Sequence, residues 1–183
     1  ANGIRGTVSK ADTVELFSLP KDFGVNGVFV NRTLVNKAKA EGRLTDAQYA
    51  LVTDQKNAMT YDEYLDIAVA LTENTGNSAT TVYGSNRIYW ESYVWSLGAD
   101  IVTEDHQLNV NSPEVKKVME YSKSMVDPTS DHFCAPYTSA TSVASQDEMS
   151  LFTTGKIAMF WSGRWNVPSY DASGIDYYAI PCP

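Results

Sequence analysis

Hydrophobic and polar positions follow two different periods along this chain, which predicts strands interleaved with helices. Short segments rich in β-branched and aromatic residues predict strands at Thr13–Pro20, Val25–Asn31 and Tyr177–Pro181. A further run, Ile157–Trp161, is apolar at every position and too short for a helix, so we expect a strand buried on both faces of a sheet. Strands that alternate with helices predict an α/β layered fold.

Two helices are predicted from apolar residues that recur every three or four positions behind a capping signal. Thr60 and Glu63 have the spacing of a capping box at the start of the first helix. Its apolar face consists of Tyr61, Tyr64, Leu65, Ala68 and Leu71. Ser112 and Pro113 begin the second helix. Its expected inner face consists of Val115, Val118, Met119 and Met125.

The segment Asn86–Asp100 contains more aromatic residues than one helix face can hold. Trp90 and Tyr93 fall on one helical stripe, whereas Tyr89 and Trp95 lie off it. The surplus rings require either burial on all sides, as in a core helix, or an open cleft. Rings beside Asn and Arg side chains are suited to sugars, because the C–H faces of a sugar stack on aromatic residues and its hydroxyls need directional partners.

The charge of the chain disfavours one class of partner. At 183 residues the chain has the size of one domain, and its formal charge is -8. Because binding to phosphate backbones needs concentrated Lys and Arg, we do not expect a nucleic-acid partner.

The cysteines and histidines give little indication of a metal or cofactor, and we expect neither. Cys134 and Cys182 lack the CxxC spacing of metal and redox sites, and a disulfide between them stays open. The segment Asp131–Cys134 contains one of only two histidines and could offer metal ligands, but its composition favours a polar loop.

Several motifs occur in the order found in a known family. The chain resembles the extracellular solute-binding proteins of ABC importers, in the carbohydrate-binding group that includes the maltose-binding proteins. The distinctive element is Leu151–Trp165, which is similar to the family's Phe-x-x-Gly-Lys-x-Ala-Met strand and the Gly-x-Trp turn after it. The other matching segments are Phe17–Val35, Met59–Thr72, Trp95–Tyr121 and Tyr177–Pro183.

The resemblance implies the architecture. Members have two α/β lobes joined by crossing strands and are much longer than this chain, so we expect residues 1–183 to be a fragment that forms a single lobe. Its sheet is expected to be mixed and mainly parallel, with flanking helices. Residues 13–31 would form the first interlobe crossing and strand, and residues 177–183 the return crossing.

The resemblance also implies a function. We expect a monomeric carbohydrate-binding receptor that delivers a sugar or oligosaccharide to the membrane permease of an ABC importer. The expected location is extracellular or periplasmic, with a lipid anchor on the complete protein.

A carbohydrate-active enzyme or a carbohydrate-binding module remains the alternative. The adjacent pairs Asp62/Glu63 and Asp147/Glu148 could be catalytic carboxylates. Asp62 and Glu63 fall in the first turn of the helix predicted after Thr60, and Asp147 and Glu148 in the first turn of a further helix predicted over 145–155. Acidic side chains in a first turn favour the helix dipole, and this position favours a capping role over catalysis.

The family's Gly-x-Trp turn lies at the cleft edge, where the tryptophan stacks on the sugar, and this implies that Trp165 contacts the ligand. Gly163 would allow close backbone approach, and the guanidinium of Arg164 could bind hydroxyls or a carboxylate. Trp165 could instead cap the core, and Arg164 could be a surface group. Trp161, within the apolar strand, is expected in the core.

Other ligand contacts are implied before the glycine-containing helix and at the first crossing. The first position corresponds to Asn86, Arg87 and Trp90, and the second to Asp22, which could accept hydrogen bonds from hydroxyls. Their alternatives are a core role for Trp90 and Asn86 and a hinge or surface role for Asp22 and Arg87.

Overall fold

A computed structural model describes residues 24–137 and 147–183 in full, and residues 7–10 and 13–16 as backbone strands. The strands in these ranges are β1 (Thr7–Lys10), β2 (Thr13–Leu16), β3 (Asn26–Asn31), β4 (Tyr83–Ser85), β5 (Ile157–Gly163) and β6 (Tyr177–Ile180). The helices are α1 (Arg32–Ala40), α2 (Asp46–Thr53), α3 (Tyr61–Leu71), α4 (Trp90–Ser96), α5 (Pro113–Val126), α6 (Glu148–Thr153) and α7 (Val167–Ser173). None of the helices in the described ranges has the length and apolar character needed to cross a membrane.

Four of these strands form a mixed sheet in the order β4-β5-β3-β6. β4 and β5 are parallel, whereas β3 is antiparallel to both β5 and β6. The expected α/β class with a mixed sheet is confirmed, but the expectation of a mainly parallel sheet is wrong. Burial on both faces gives a strand an apolar sequence whichever way its neighbours run, so the pattern of β5 did not reveal the direction of β3.

Helices cover both faces of this sheet, and the side chains of β5 divide between two cores. Trp161 and Met159 contribute to a large core with α1 to α5, whereas Phe160 and Ile157 contribute to a smaller core with α6 and α7. Every residue of β5 is buried, which confirms the prediction of a strand covered on both faces.

The helix-start signals are confirmed. The Thr60 hydroxyl accepts a hydrogen bond from the Glu63 N–H at 3.2 Å, and the Glu63 carboxylate accepts one from the Thr60 N–H at 2.7 Å. Ser112 caps α5 with Pro113 at its first position. Met119, which was expected on the inner face of α5, is instead 40% exposed, because this side of the helix borders a cavity rather than the core.

The first two strands lie outside the four-stranded sheet. Strands β1 and β2 pair antiparallel in a separate two-stranded sheet, and β6 is an edge strand of the four-stranded sheet.

Cys134 is buried, Cys182 is partly buried, and both are free thiols.

Candidate functional site

A cavity of about 490 Å³ opens where β4 and β5 end. Because these strands are parallel, their carboxyl ends meet at one edge of the sheet, the usual position of ligand sites in α/β folds. The cavity is lined by residues 86–91 after β4, by the end of β5 with the turn that follows, and by one side of α5. The structure therefore brings two segments that were predicted separately, 86–90 and 163–165, to the same edge.

Trp165 is the most exposed tryptophan along this cavity. It lies in a single 3-10 turn, Arg164–Asn166, directly after β5, and 63% of its surface is exposed. A side chain of this size is usually far more buried, so its exposure requires an explanation other than core packing. The alternative that Trp165 caps the core is not supported by this exposure.

Gly163 makes the position of Trp165 possible. A Cβ atom on Gly163 would overlap the six-membered ring of Trp165, so the indole occupies the space that any other residue would fill. The backbone of Gly163 is extended, with φ -98°, and a left-handed conformation is therefore not the reason for glycine. The close approach predicted for Gly163 was that of a ligand, whereas in the structure the indole of Trp165 takes this space.

Trp90 and Tyr89 form a second aromatic side of the cavity. Trp90 is the first residue of α4 and is partly buried, while Tyr89 precedes the helix and is 37% exposed. Tyr93 and Val94 face the core in the same helix. The sequence left a core helix and an open cleft as alternatives for the surplus aromatic residues. Tyr89 lies at the open cavity, whereas Tyr93 is buried in the core.

Asn86 is held by the sheet. Its side-chain oxygen accepts a hydrogen bond from the Trp161 N–H at 2.7 Å, and its side-chain nitrogen donates to the Trp161 carbonyl at 3.1 Å. Asn86 is only 3% exposed. Its carboxamide borders the cavity but uses both of its ends on the β5 backbone, which favours the structural alternative for this residue.

The remaining predicted residues differ in position. Arg87 lines the cavity, and its Nε donates to Glu148 at 3.3 Å in an ion pair. Arg164 is exposed and is not among the residues that line the cavity. Asp22 lies outside the described residues.

An aromatic cluster supports the cavity from behind. Tyr89 contacts the buried Trp161 edge to face, with ring centroids 6.1 Å apart, and Trp161 contacts Tyr61 at 5.9 Å. Tyr61 in turn stacks on Tyr93 with centroids 3.6 Å apart. Burial raises the pKa of Tyr61 to about 12 and also raises the pKa of Tyr89, to which the carboxylate of Glu148 adds. Through these contacts Tyr89 joins the cavity lining to the buried aromatic core.

Sequence reasoning missed several groups that line the cavity. Glu91 follows Trp90 in α4, and Met119 and Ser122 reach the cavity from α5. Glu91 could have been noticed because it adjoins two predicted contacts, but nothing in the local pattern indicates that α5 borders the cavity. In the ranges that the structure describes, no three His, Cys, Asp or Glu side chains form a group able to hold a metal ion.

The sequence and fold were compared with known proteins. The sequence model of the family "Bacterial extracellular solute-binding protein" matches residues 7–183. No curated protein is similar enough in sequence to count as a relative.

Solved structures with the same fold include the following three proteins. The substrate-binding protein Lmo0181 from Listeria monocytogenes, in complex with cycloalternan, has 20% identity and a TM-score of 0.63, over 85% of this chain and 36% of that one. The maltose-maltodextrin binding protein of Alicyclobacillus acidocaldarius has 18% identity and a TM-score of 0.56, over 95% and 40%. UgpB from Mycobacterium tuberculosis, in complex with glycerophosphocholine, has 15% identity and a TM-score of 0.59, over 87% and 37%.

At these identities the structures establish the fold alone. The chain spans well under half the length of each of these three proteins. The family match, in contrast, includes both the strands and the aromatic turn that form the cavity edge. The chain therefore belongs to the family of bacterial extracellular solute-binding proteins.

Proposed function

We propose that the complete protein is a carbohydrate-binding receptor that delivers a sugar or oligosaccharide to an ABC importer. The observation that carries this proposal is that Trp90 and Trp165 line one open cavity together with polar side chains. Indole faces stack on the C–H faces of a sugar ring, while amide, hydroxyl and guanidinium groups bind its hydroxyls.

The polar groups nearest to the tryptophans are suited to hydroxyls. Asn166 adjoins Trp165 and donates from its side-chain nitrogen to the Ser162 hydroxyl at 2.7 Å, which leaves the amide oxygen to accept from a ligand. Ser122, on α5, has a buried hydroxyl without a hydrogen-bond partner in the described part of the chain. A buried hydroxyl without a partner is costly, and a ligand hydroxyl would satisfy it.

A receptor is favoured over a carbohydrate-active enzyme. The Glu63 carboxylate is used in the capping box of α3, and the Asp147 carboxylate caps α6 by accepting from the Ser150 N–H at 2.7 Å. Hydrogen bonds from Ser150 lower the pKa of Asp147, which is unsuitable for a general acid at neutral pH. Membership in a solute-binding family supports the same choice.

The two-lobe arrangement is part of the proposal. We infer that residues 13–31 and 177–183 are the crossings to a second lobe, and that the cavity described above is one half of a ligand cleft. The reported neighbours, which are more than twice as long as this chain, support this arrangement. Each lobe then supplies part of the contact area and the other excludes water.

The two-lobe proposal is tested with calorimetry on the complete protein and on residues 1–183. We expect the single lobe to bind the same sugar at least ~3 kcal/mol more weakly, roughly a hundredfold or more. Equal affinities would mean that the whole site lies within this lobe.

The remaining expectations concern partners and location. The family is extracellular, and we propose that the complete protein is a monomer, attached by a lipid, that docks on a membrane permease. Light scattering and membrane fractionation of the native protein test these points.

The function itself is tested by a thermal-shift screen of the complete protein against mono- and oligosaccharides, because a ligand that binds only the folded state raises its apparent stability. We expect at least one saccharide to raise the melting temperature in a saturable way without being converted. Release of products would indicate an enzyme. No response to any saccharide, with a response to a different solute, would contradict the carbohydrate assignment.

A further inference from the structure

Negatively charged side chains outnumber positively charged ones among the described residues of the cavity lining. Three of the described residues that line it carry charge, namely Arg87, Glu91 and Glu148. Arg87 and Glu148 form an ion pair across the cavity edge, with Nε and Oε1 3.3 Å apart. This pair offsets part of the field of its own members, and the third charge leaves the described lining negative overall.

Glu91 is that third charge. It is partly buried in the first turn of α4, beside Trp90. In the described part of the chain, no ion pair or side-chain hydrogen bond joins Glu91 to another group. A carboxylate that lines a cavity with aromatic walls is screened less than one in open solvent, and it therefore acts on a bound ligand more strongly than a surface carboxylate would.

The tyrosine beside Glu91 responds to this negative field. Burial is the main reason that the pKa of Tyr89 is raised, and the carboxylates of Glu148 and Glu91 raise it further. They do so because they disfavour a negative charge on the phenol oxygen. A ligand carboxylate at the same place would meet the same repulsion.

Among the described residues, the cations that could reverse this preference are paired or lie outside the cavity lining. Arg87 is already paired, and the exposed Arg164 does not line the cavity although it adjoins Trp165. A carboxylate ligand would have to compete with Glu148 for Arg87 while close to Glu91.

We propose that Glu91 makes this cavity selective for uncharged or amino-bearing saccharides over acidic ones. The inference rests on the proposed carbohydrate function and adds the charge class of the ligand. A hydroxyl can donate a hydrogen bond to the Glu91 carboxylate, and an ammonium group can donate with the added benefit of charge, next to an indole face that also attracts cations. The carboxylate of a uronate offers neither, because it has no proton to donate at neutral pH and is repelled by Glu91.

The test uses the complete protein and a matched set of three ligands. The set consists of the neutral saccharide that gives the largest thermal shift, its uronic-acid analogue and its amino-sugar analogue, each measured by calorimetry at low and at physiological salt. We expect the acidic analogue to bind at least about tenfold more weakly than the neutral one. Higher salt should narrow this difference.

Variants assign the effect to the residue. Glu91→Gln keeps the shape of the side chain and should reduce the preference in affinity for the neutral over the acidic saccharide by at least about threefold. Arg87→Gln should increase this preference. Glu104→Gln is the matched control, because it removes the same charge from an exposed residue outside the cavity lining, and it should leave the preference unchanged.

The outcomes separate the inference from the function on which it rests. An acidic analogue that binds as well as the neutral saccharide, or a preference that Glu91→Gln does not change, overturns the inference alone. Failure of every saccharide to bind overturns the carbohydrate function and the inference together.

Discussion

The side chain of Asn86 forms hydrogen bonds with both the backbone N–H and the backbone carbonyl of Trp161, directly after the last residue of β4. The two hydrogen bonds, of 2.7 and 3.1 Å, join segments 75 residues apart in the sequence. One segment continues to Trp90 and the other to Trp165, so this contact fixes the relative position of the two aromatic sides of the cavity.

Asn86→Ala should destabilise the protein. The change leaves a buried N–H and a buried carbonyl of Trp161 without partners, so we expect the free energy of unfolding to fall by about 2–4 kcal/mol in urea titrations. Asn111→Ala, at an exposed position, is the control and should stay within about 0.5 kcal/mol. Equal effects of the two changes would mean that the Asn86 pairing contributes nothing to stability.

Trp165→Ala should weaken ligand binding without unfolding the protein. Loss of a stacked indole costs about 1–3 kcal/mol of binding free energy, and stability should change little because 63% of the residue is exposed. Trp95→Ala is the matched control, since Trp95 is 47% exposed and does not line the cavity. Calorimetry on both variants decides the matter, and unchanged affinity in the Trp165 variant would return this residue to a purely structural role.

Gly163→Ala should reproduce the binding defect of Trp165→Ala. The added methyl group would displace the indole from the space above the backbone, so we expect an affinity loss of about 1–3 kcal/mol. When both changes are combined, their losses should be far from additive, because each removes the same contact. Gly24→Ala, where a Cβ meets nothing within 4 Å, controls for the general effect of adding a methyl group.

Alkaline pH should destabilise the protein through buried tyrosines. Burial raises the pKa values of Tyr61 and Tyr178 to about 12, from an ordinary value of 10.0. A pKa that is raised in the folded state contributes stability that is complete below pH 10 and is lost as the pH rises through 12. We therefore expect a lower urea midpoint at pH 11 than at pH 9.

Tyr178→Phe tests the origin of that pH dependence. The variant loses the hydrogen bond from the Tyr178 hydroxyl to the Val52 carbonyl, so it should be less stable at pH 9. Its further loss between pH 9 and pH 11 should be smaller than in the unchanged protein. An equal loss would assign the alkaline effect to other groups.

Local signals in the sequence predicted much of the fold. The capping box at Thr60 and Glu63 acts over three residues, and the continuous apolar sequence of β5 indicates a buried strand. Both could therefore be identified without knowledge of distant contacts. The direction of β3 could not be identified, because it depends on connections that span most of the chain.

The site was predictable in part for the same reason. Trp165 was assigned from the family's Gly-x-Trp turn, which is a local motif, and the structure places it along the cavity with Gly163 against its ring. Its contact with a ligand stays a prediction. Asn86 was expected to contact the ligand, but its carboxamide binds the backbone of Trp161. This contact could not be identified from the local pattern, because the two residues are far apart in the sequence. The contribution of Met119 depends on how α5 packs, which its own periodicity does not contain.

Trp161 is 2% exposed, whereas Trp165 is 63% exposed and Trp95, outside the cavity lining, is 47% exposed, so the indoles of the protein lie in strongly different environments. An indole in water emits at longer wavelength and is quenched by iodide, whereas a buried indole is shielded from both effects. A sugar that stacks on Trp165 would therefore shift part of the red side of the emission spectrum and protect that part from the quencher. Trp95 would stay open to the quencher, and the blue fraction from Trp161 would stay constant as an internal reference. Occupancy of the cavity could in this way be followed in the unmodified protein, without a label.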